Sequence, residues 1–112
     1  MTDVSLAYEV YFFNNETRSN DFICSHGPDT SSLTTVSASR IFSGLESDAV
    51  PAWERNLVAV DLTGLSIPAG DTYVMAWTSV DEGGGSSDEI ALDNIQIIAN
   101  PSTQLIEASG TL

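Results

Sequence analysis

The sequence contains no lysine and only three arginines, whereas it has sixteen acidic residues, so the net charge of the 112-residue chain is −13. Proteins bind nucleic acid mainly through lysine and arginine side chains that neutralise phosphates, and anionic membrane surfaces attract the same side chains. We therefore expect no nucleic-acid partner. Like charges also oppose a compact state unless salt or bound cations screen them, and both salt tolerance and calcium binding are consistent with this composition.

Cysteine and histidine are equally scarce. The single cysteine, Cys24, cannot form an internal disulfide, and its place on an alternating stretch beside Phe22 predicts a buried free thiol. The single histidine, His26, lies in a Gly-Pro turn. One histidine and one cysteine cannot form the usual zinc site, and no G-x-S-x-G nucleophile motif occurs. The sequence therefore predicts a protein that is not an enzyme.

Long apolar runs are also missing. No segment of about 18 consecutive apolar residues occurs, and there is no charged and then apolar leader of the signal-peptide type. We expect no insertion into a membrane.

What the sequence does contain is alternation of apolar and polar residues with a period of two, which is typical of half-buried β-strands. The clearest example is Val4 to Phe12, with one apolar face. Further strands are predicted at residues 21–25, 33–37, 57–62, 72–80 and 90–98. Short strands, polar turns and no helical periodicity predict an all-β fold, an antiparallel sandwich or barrel.

The last predicted strand changes its apolar face partway. Ile90 and Leu92 share one parity, and Ile95 and Ile97 share the other. Either a β-bulge lies at Asp93-Asn94, or the strand is covered on both sides.

Four segments together resemble a known type of domain: TRSNDFI (17–23), NLVAVDLTGL (56–65), YVMAWTSV (73–80) and DEIALDNIQI (88–97). In this order they are similar to the later part of jelly-roll β-sandwich domains of secreted multidomain bacterial proteins, especially of Bacteroidetes, which are related in architecture to MAM domains and carbohydrate-binding modules. The resemblance implies a non-catalytic, secreted or cell-surface module. It also implies that the first strands of the jelly roll are absent.

The resemblance divides the chain into two parts. Residues 1–99 are expected to form the jelly-roll-like sandwich, either partial or completed by another chain. Residues 100–112 are expected to be a linker or an additional or donated strand, since Gln104 to Ala108 could pair with an open sheet edge.

The acidic stretch DEGGGSSDEIALDN (81–94) is the candidate metal site. Calcium prefers six to eight oxygen ligands, which flexible loops can supply. The candidate ligands are Asp81, Glu82, Asp88 and Glu89. The spacing of an EF-hand loop is absent, and a solvated hairpin loop with acids at its rim is the alternative.

Arg18 lies in the corner that the resemblance pairs with the final strand. We predict a structural ion pair between Arg18 and Asp93 or Asp21, because a guanidinium group suits a carboxylate. Asp93 would then be a structural partner and not a metal ligand.

For a bound ligand, the candidate residues are Trp53 and Tyr11, whose rings could stack on a sugar. Trp53 lies in an irregular segment after Pro51 and is expected to be exposed. Trp77 and Tyr73 share a strand face with Met75, which favours a place in the core. Two functions remain open at this point. One is adhesion or carbohydrate binding. The alternative is a structural subunit of a surface assembly or filament, which would be completed by strand exchange with neighbouring subunits. Such an assembly could be a homo-oligomer.

Overall fold

The structure, a computed structural model, describes residues 2–99 and contains six strands. In chain order they are β1 (Val4–Phe13), β2 (Ser19–Gly27), β3 (Thr34–Phe42), β4 (Trp53–Leu62), β5 (Val74–Glu82) and β6 (Glu89–Ala99). Within residues 2–99 no helix is long and apolar enough to cross a membrane. The predicted linker or donated strand at 100–112 lies outside the described residues.

The six strands form two antiparallel sheets, which confirms the all-β prediction. One sheet has the order β4-β1-β6 and the other has the order β3-β2-β5. The chain thus changes sheets at every connection except the one between β2 and β3. The two sheets face each other around one apolar core, as in a β-sandwich.

The core is centred on β1, the middle strand of its sheet. Its alternate residues are almost completely buried, as the period-two pattern predicted: Val4, Leu6, Tyr8, Val10 and Phe12. Each buried side chain of this size stabilises the fold by about 1.5 to 3 kcal/mol. From β4 the inner residues Val58, Val60 and Leu62 join the core, and from β2 Phe22 and Cys24 do so.

The predicted change of face in β6 is a β-bulge. Ala7 of β1 is opposite Gln96, and Glu9 is opposite Asp93, so one extra residue of β6 is accommodated opposite Tyr8. Asn94 within the bulge has a φ of 52°, a left-handed conformation in which asparagine is enriched. The bulge turns the side chain of Asn94 to the outer face of the sheet, where it contacts Glu9.

β2, β3 and β4 are each four residues longer than the sequence predicted. β3 continues to Phe42, although the sequence predicted a strand only at residues 33–37. β4 begins at Trp53, which the sequence placed in an irregular segment after Pro51. The extensions of β3 and β4 are mostly exposed, so the apolar periodicity that identifies a strand is weak there.

The two long sides of the sandwich are closed to different degrees. On one side β3 and β4 contact each other across the two sheets. On the opposite side lie β5 and β6, each the other edge strand of its sheet. Val58 of β4 is 8% exposed, whereas Ile97 of β6, which also faces inward, is 53% exposed. Within residues 2–99 the β5–β6 side is therefore open.

Candidate functional site

The outer face of the β4-β1-β6 sheet carries the two residues predicted to bind a ligand. Tyr11 of β1 is opposite Arg55 of β4, and the next outer pair is Phe13 opposite Trp53. Residues directly opposite each other in an antiparallel pair point to the same face, and diagonal neighbours are within reach of aromatic side chains. The register therefore brings Tyr11 and Trp53 onto one face as diagonal neighbours.

Trp53 is a partly stacked but accessible ring. Its indole lies against Phe13 with ring centroids 5.4 Å apart at an angle of 42°, and the residue is 52% exposed. Phe13 limits the rotation of the indole while leaving much of Trp53 in contact with solvent. This is the exposure that the sequence predicted for Trp53, although it lies at the start of a strand.

Beside these rings is a hydrogen-bonded network around Glu9. Arg55 donates from Nε to Glu9 Oε2 at 3.1 Å and from Nη2 to Oε1 at 3.0 Å. The hydroxyl of Tyr11 donates to Oε2, and Asn94 Nδ2 donates to Oε1 at 2.9 Å. A two-pronged arginine–carboxylate pair has well-defined geometry, so the network holds Tyr11, Arg55 and Asn94 in fixed positions.

The same hydrogen bonds shift the pKa values of the network. Donation by Arg55, then by Tyr11 and Asn94, lowers the pKa of Glu9 from 4.5 to about 2. The hydrogen bond that Tyr11 donates to Glu9 in turn raises the pKa of the Tyr11 hydroxyl. Glu9 is therefore a permanent anion and Tyr11 a permanent phenol at neutral pH, which suits hydrogen bonding and not proton transfer.

A shallow hollow of about 300 Å³ adjoins the network. Its floor includes the small residues Ala7 and Ala59, and its rim includes Leu57, Asn94 and Gln96. Because Ala7 is opposite both Ala59 and Gln96, the small side chains form a depression across all three strands. We call this hollow together with Trp53, Phe13, Tyr11 and Arg55 the aromatic face.

The predicted metal ligands are separated by the structure into buried and exposed positions. Asp88 is 3% exposed, and both of its carboxylate oxygens accept hydrogen bonds from the protein. Oδ1 accepts from the backbone N–H of Glu16 at 3.0 Å, and Oδ2 accepts from the hydroxyl of Ser43 at 2.7 Å. Asp88 therefore connects the corner after β1, the segment after β3 and the start of β6.

The other three predicted ligands are exposed. Asp81 forms an ion pair with Arg18, with 3.5 Å between Nη2 and Oδ2. Glu82 ends β5 and Glu89 begins β6. In the part of the chain that the structure describes, no three histidine, cysteine, aspartate or glutamate side chains form a group that could hold a metal ion.

The loop between β5 and β6 is held in place by the corner that precedes β2. Thr17 Oγ1 donates to the carbonyl of Gly84 at 2.9 Å, and the N–H of Arg18 donates to the carbonyl of Ser86 at 3.2 Å. The N–H of Asp88 donates to the carbonyl of Arg18 at 2.8 Å. The glycine and serine run is thus a joint between the two sheets.

The predicted ion pair of Arg18 with Asp93 or Asp21 is corrected by the structure. Arg18 pairs with Asp81, and Asp21 pairs with Arg40 at 2.7 Å. Asp93 caps the bulge, because its Oδ1 accepts from the N–H of Asn94 at 2.8 Å. The prediction failed because Arg18 precedes β2, which pairs with β5 and not with β6.

The remaining polar residues of interest have structural environments. Cys24 is buried, as predicted, and burial raises the pKa of its thiol. His26 Nδ1 lies 2.8 Å from the hydroxyl of Tyr73. Trp77 packs edge-on against Tyr8 of the core, with ring centroids 5.4 Å apart, in agreement with the core position expected for it.

Sequence reasoning missed five of the polar and aromatic residues of the aromatic face. They are Glu9, Phe13, Arg55, Asn94 and Gln96. The alternation of β1 does place Glu9, Tyr11 and Phe13 on one face, which was a usable signal. The pairing of β1 with β4 and β6 was not accessible, because it depends on register between segments far apart in the chain.

Comparison of the chain with protein-family models, with curated proteins and with solved structures finds no match.

Proposed function

We propose that this chain is a non-catalytic carbohydrate-binding module that takes a neutral glycan on its aromatic face. The observation that carries the proposal is the placement of an accessible indole, Trp53, on the same sheet face as a preorganised polar network. Sugar rings present apolar C–H surfaces and hydroxyl groups together. A site for them needs an apolar platform and fixed hydrogen-bonding groups side by side.

The platform consists of Trp53 supported by Phe13, with Tyr11 diagonally adjacent. Aromatic side chains contribute large apolar area with little conformational freedom to lose. Because Phe13 already restrains the indole, little entropy is lost when a ring stacks on Trp53.

The hydrogen-bonding groups are those of the Glu9 network and of Gln96. Arg55 and Asn94 are held by Glu9, and Gln96 lies at the rim of the hollow. Amide, guanidinium and carboxylate groups together offer both donors and acceptors, which matches hydroxyl groups. The floor of alanines gives a ring access to these groups.

The charge of the chain favours a neutral ligand. With a net charge of −13, the protein repels acidic polysaccharides, since like charges across an interface weaken association. We therefore expect the protein to bind uncharged glycans more tightly than uronic-acid polymers.

The strand order supports the proposal of a jelly roll for the fold. In an eight-stranded jelly roll, a form common among lectin domains, the first strand lies beside the last and the second beside the seventh. The orders β4-β1-β6 and β3-β2-β5 fit the last six strands of that arrangement. The first and second strands of that arrangement would border β6 and β5, on the open side.

Binding of soluble neutral glucans, mannans and xylans, measured by isothermal titration calorimetry, tests the function. For a glycan that binds, Trp53→Ala should weaken binding by about tenfold or more, because stacking and buried area are lost. Gln96→Ala should weaken it severalfold, about the effect of one hydrogen bond. The melting midpoints of both variants should stay close to that of the parent.

The matched control is Phe42→Ala. Phe42 is an exposed aromatic residue on the outer face of the other sheet, where Arg40 lies 5.3 Å from its ring centroid. Its loss should leave glycan binding unchanged. Equal weakening by Trp53→Ala and Phe42→Ala, or no binding to any glycan of the panel, would refute the proposed face.

The secreted or cell-surface location and the calcium site stay predictions. A calcium site at the loop predicts a melting midpoint that rises with calcium, that falls again with chelator, and that magnesium does not reproduce. Glu82→Gln and Glu89→Gln should then reduce the rise. A midpoint that does not respond to calcium would exclude the site.

A further inference from the structure

The open side of the sandwich is a second surface with a composition of its own. It lies between the free edges of β5 and β6, opposite the side on which β3 contacts β4. We call it the open seam and define it by four inward-facing residues, Met75, Trp77, Ile95 and Ile97. Neither the aromatic face nor the acidic loop includes these side chains.

The seam exposes residues that face the core. Ile97 is opposite Leu6 of the core, so both point inward, yet Ile97 is 53% exposed and Leu6 is 1% exposed. Ile95 has the same parity and is also exposed. On the closed side the inward residues of β4 are buried. The fold thus places apolar side chains for a contact that residues 2–99 do not complete.

The seam also contains space. A hollow of about 210 Å³ lies between the sheets, lined by Val4 of β1, Met75 of β5 and Ile97 of β6, together with Ile67, Asp71 and Tyr73. Its walls come from three strands of both sheets. A row of apolar side chains could enter it and contact both sheets at once.

The neighbouring backbone can receive a strand. β6 pairs with β1 and β5 pairs with β2, each through one of its two edges. An unpaired strand edge is a template for an added strand, whose side chains alternate between the core and the solvent. The seam therefore fits an extended segment with alternating apolar residues.

The charge of the seam defines the partner further. From residue 56 onwards the sequence has no lysine or arginine, so β5, β6 and the loop between them contribute only acidic charge. The exposed part of that charge comes from Asp81, Glu82, Glu89 and Asp93, of which Asp81 already pairs with Arg18, whereas Asp88 is buried. A second copy of this chain, with a net charge of −13, would bring like charge to these edges.

We propose that the open seam is an acceptor for a basic β-strand of a partner polypeptide. The strand pairs with the free edge of β6 or β5, inserts alternate apolar side chains beside Met75 and Ile97, and sets lysine or arginine against the acidic ends of the two strands. This surface is distinct from the aromatic face, so the two functions can fail independently.

Synthetic peptides test the proposal on the full chain. The probe has about nine residues, a common strand length, with valine alternating with threonine and a lysine at each end. Control peptides carry glutamate at the ends or proline in the centre. The lysine peptide should bind, binding should weaken as salt screens the charges, and both controls should bind at least about tenfold more weakly.

Hydrogen exchange locates the bound peptide. The lysine peptide should slow exchange of the backbone amides of β5 or β6 and leave β3 and β4 unchanged. Light scattering should show a monomer with and without the peptide. Protection at β3 or β4 would refute the proposal, and a dimer whose interface protects β5 and β6 would assign the seam to a second copy.

Two neighbouring residues of β6 provide a matched pair of variants. Ile97 faces the seam, whereas Ile98, which is 46% exposed, faces outward opposite Ser5. Ile97→Asn should weaken the lysine peptide by about tenfold, the effect of losing one buried isoleucine contact. Ile98→Asn should change its affinity by less than about twofold.

The fold should tolerate both changes because both side chains are already about half exposed; melting curves check this. Equal affinity of the two variants, or equal binding of lysine-ended and glutamate-ended peptides, would overturn the proposal. Glycan binding measured on Ile97→Asn should equal that of the parent, which separates a failure of the seam from a failure of the aromatic face.

Discussion

Replacing Asp88 with alanine tests whether the acidic stretch 81–94 is a structural joint. Asp88 is almost completely buried and accepts hydrogen bonds from the N–H of Glu16 and the hydroxyl of Ser43. Alanine removes both acceptors and leaves the N–H of Glu16 and the hydroxyl of Ser43 without them in a part-buried place. We therefore expect Asp88→Ala to destabilise the whole fold.

The size of the expected loss in stability follows from the number of hydrogen bonds that Asp88 accepts with its side chain. A hydrogen bond to a charged group contributes about 1.5 to 3 kcal/mol, and a buried donor left without an acceptor costs a similar amount. Two such bonds, not fully additive, predict a loss of about 3 kcal/mol in the free energy of unfolding. For a domain of this size the melting midpoint should then fall by about 10 °C or more.

Asp88→Asn separates shape from charge. The amide oxygen can still accept from Glu16, but the amide nitrogen replaces the oxygen that accepts from Ser43. Ser43 can then accept from Asn in place of donating, although its Oγ already accepts from the N–H of Asn20. We expect a loss of about 1 to 1.5 kcal/mol, roughly one charge-assisted bond.

Urea unfolding followed by circular dichroism measures both variants, with Glu89→Ala as the control. Glu89 is the next residue, also acidic, but exposed, so its loss should change the free energy by less than about 0.5 kcal/mol. If Asp88→Ala unfolds at the same urea concentration as Glu89→Ala, the joint is not structural. If calcium stabilises the parent and not Asp88→Ala, Asp88 is a metal ligand and the reasoning is wrong.

Three further predictions concern charge and backbone conformation. Because the pKa of Glu9 is lowered from 4.5 to about 2, the contribution of ionised Glu9 to stability is complete above pH 4.5 and is lost as the pH falls towards 2. The melting midpoint of the parent should therefore fall more steeply over this range than that of Glu9→Gln. Parallel curves of melting midpoint against pH for the two proteins would contradict the network. Arg18→Lys should change the free energy of unfolding by less than about 1 kcal/mol, because its pair with Asp81 is solvent-exposed; a larger loss in urea unfolding would show that Arg18 does more than this pair. Gly83→Ala should cost at least about 1 kcal/mol, since Gly83 has a φ of 94° and a Cβ there would lie 2.9 Å from the carbonyl oxygen of Thr17. Gly84→Ala should leave stability unchanged, because no atom lies within 4 Å of a Cβ at that position. Equal melting midpoints of Gly83→Ala and Gly84→Ala would contradict the close contact at Gly83.

The candidate site could be predicted only in part, and the acidic stretch illustrates why. Its composition indicates either oxygen ligands for a metal ion or a solvated turn. Both interpretations assume that all the acidic side chains of the stretch are equally exposed. The structure distinguishes them, because Asp88 meets Glu16 and Ser43, which come from distant segments. Which one of several acidic residues is buried depends on the distant segments that cover it, and the local sequence pattern does not predict those contacts.

The ion-pair partner of Arg18 also could not be predicted from the sequence. Its partner was expected on the final strand, yet β2 pairs with β5, and Arg18 therefore meets Asp81. Trp53 was expected to be exposed, and it is, but its neighbours Phe13 and Arg55 follow from the register of β1 with β4.

The sequence by itself determined where the six strands lie, which face of β1 is buried, and where β6 changes its apolar face. These features follow from the period-two alternation of side chains, which is a property of each strand alone. Only the tertiary structure decided which strands pair, which acid is buried, and which aromatic and polar groups share a face. The physical reason is that register and sheet order join segments far apart in the chain, and a shift of one residue would move every side chain of a strand to the opposite face.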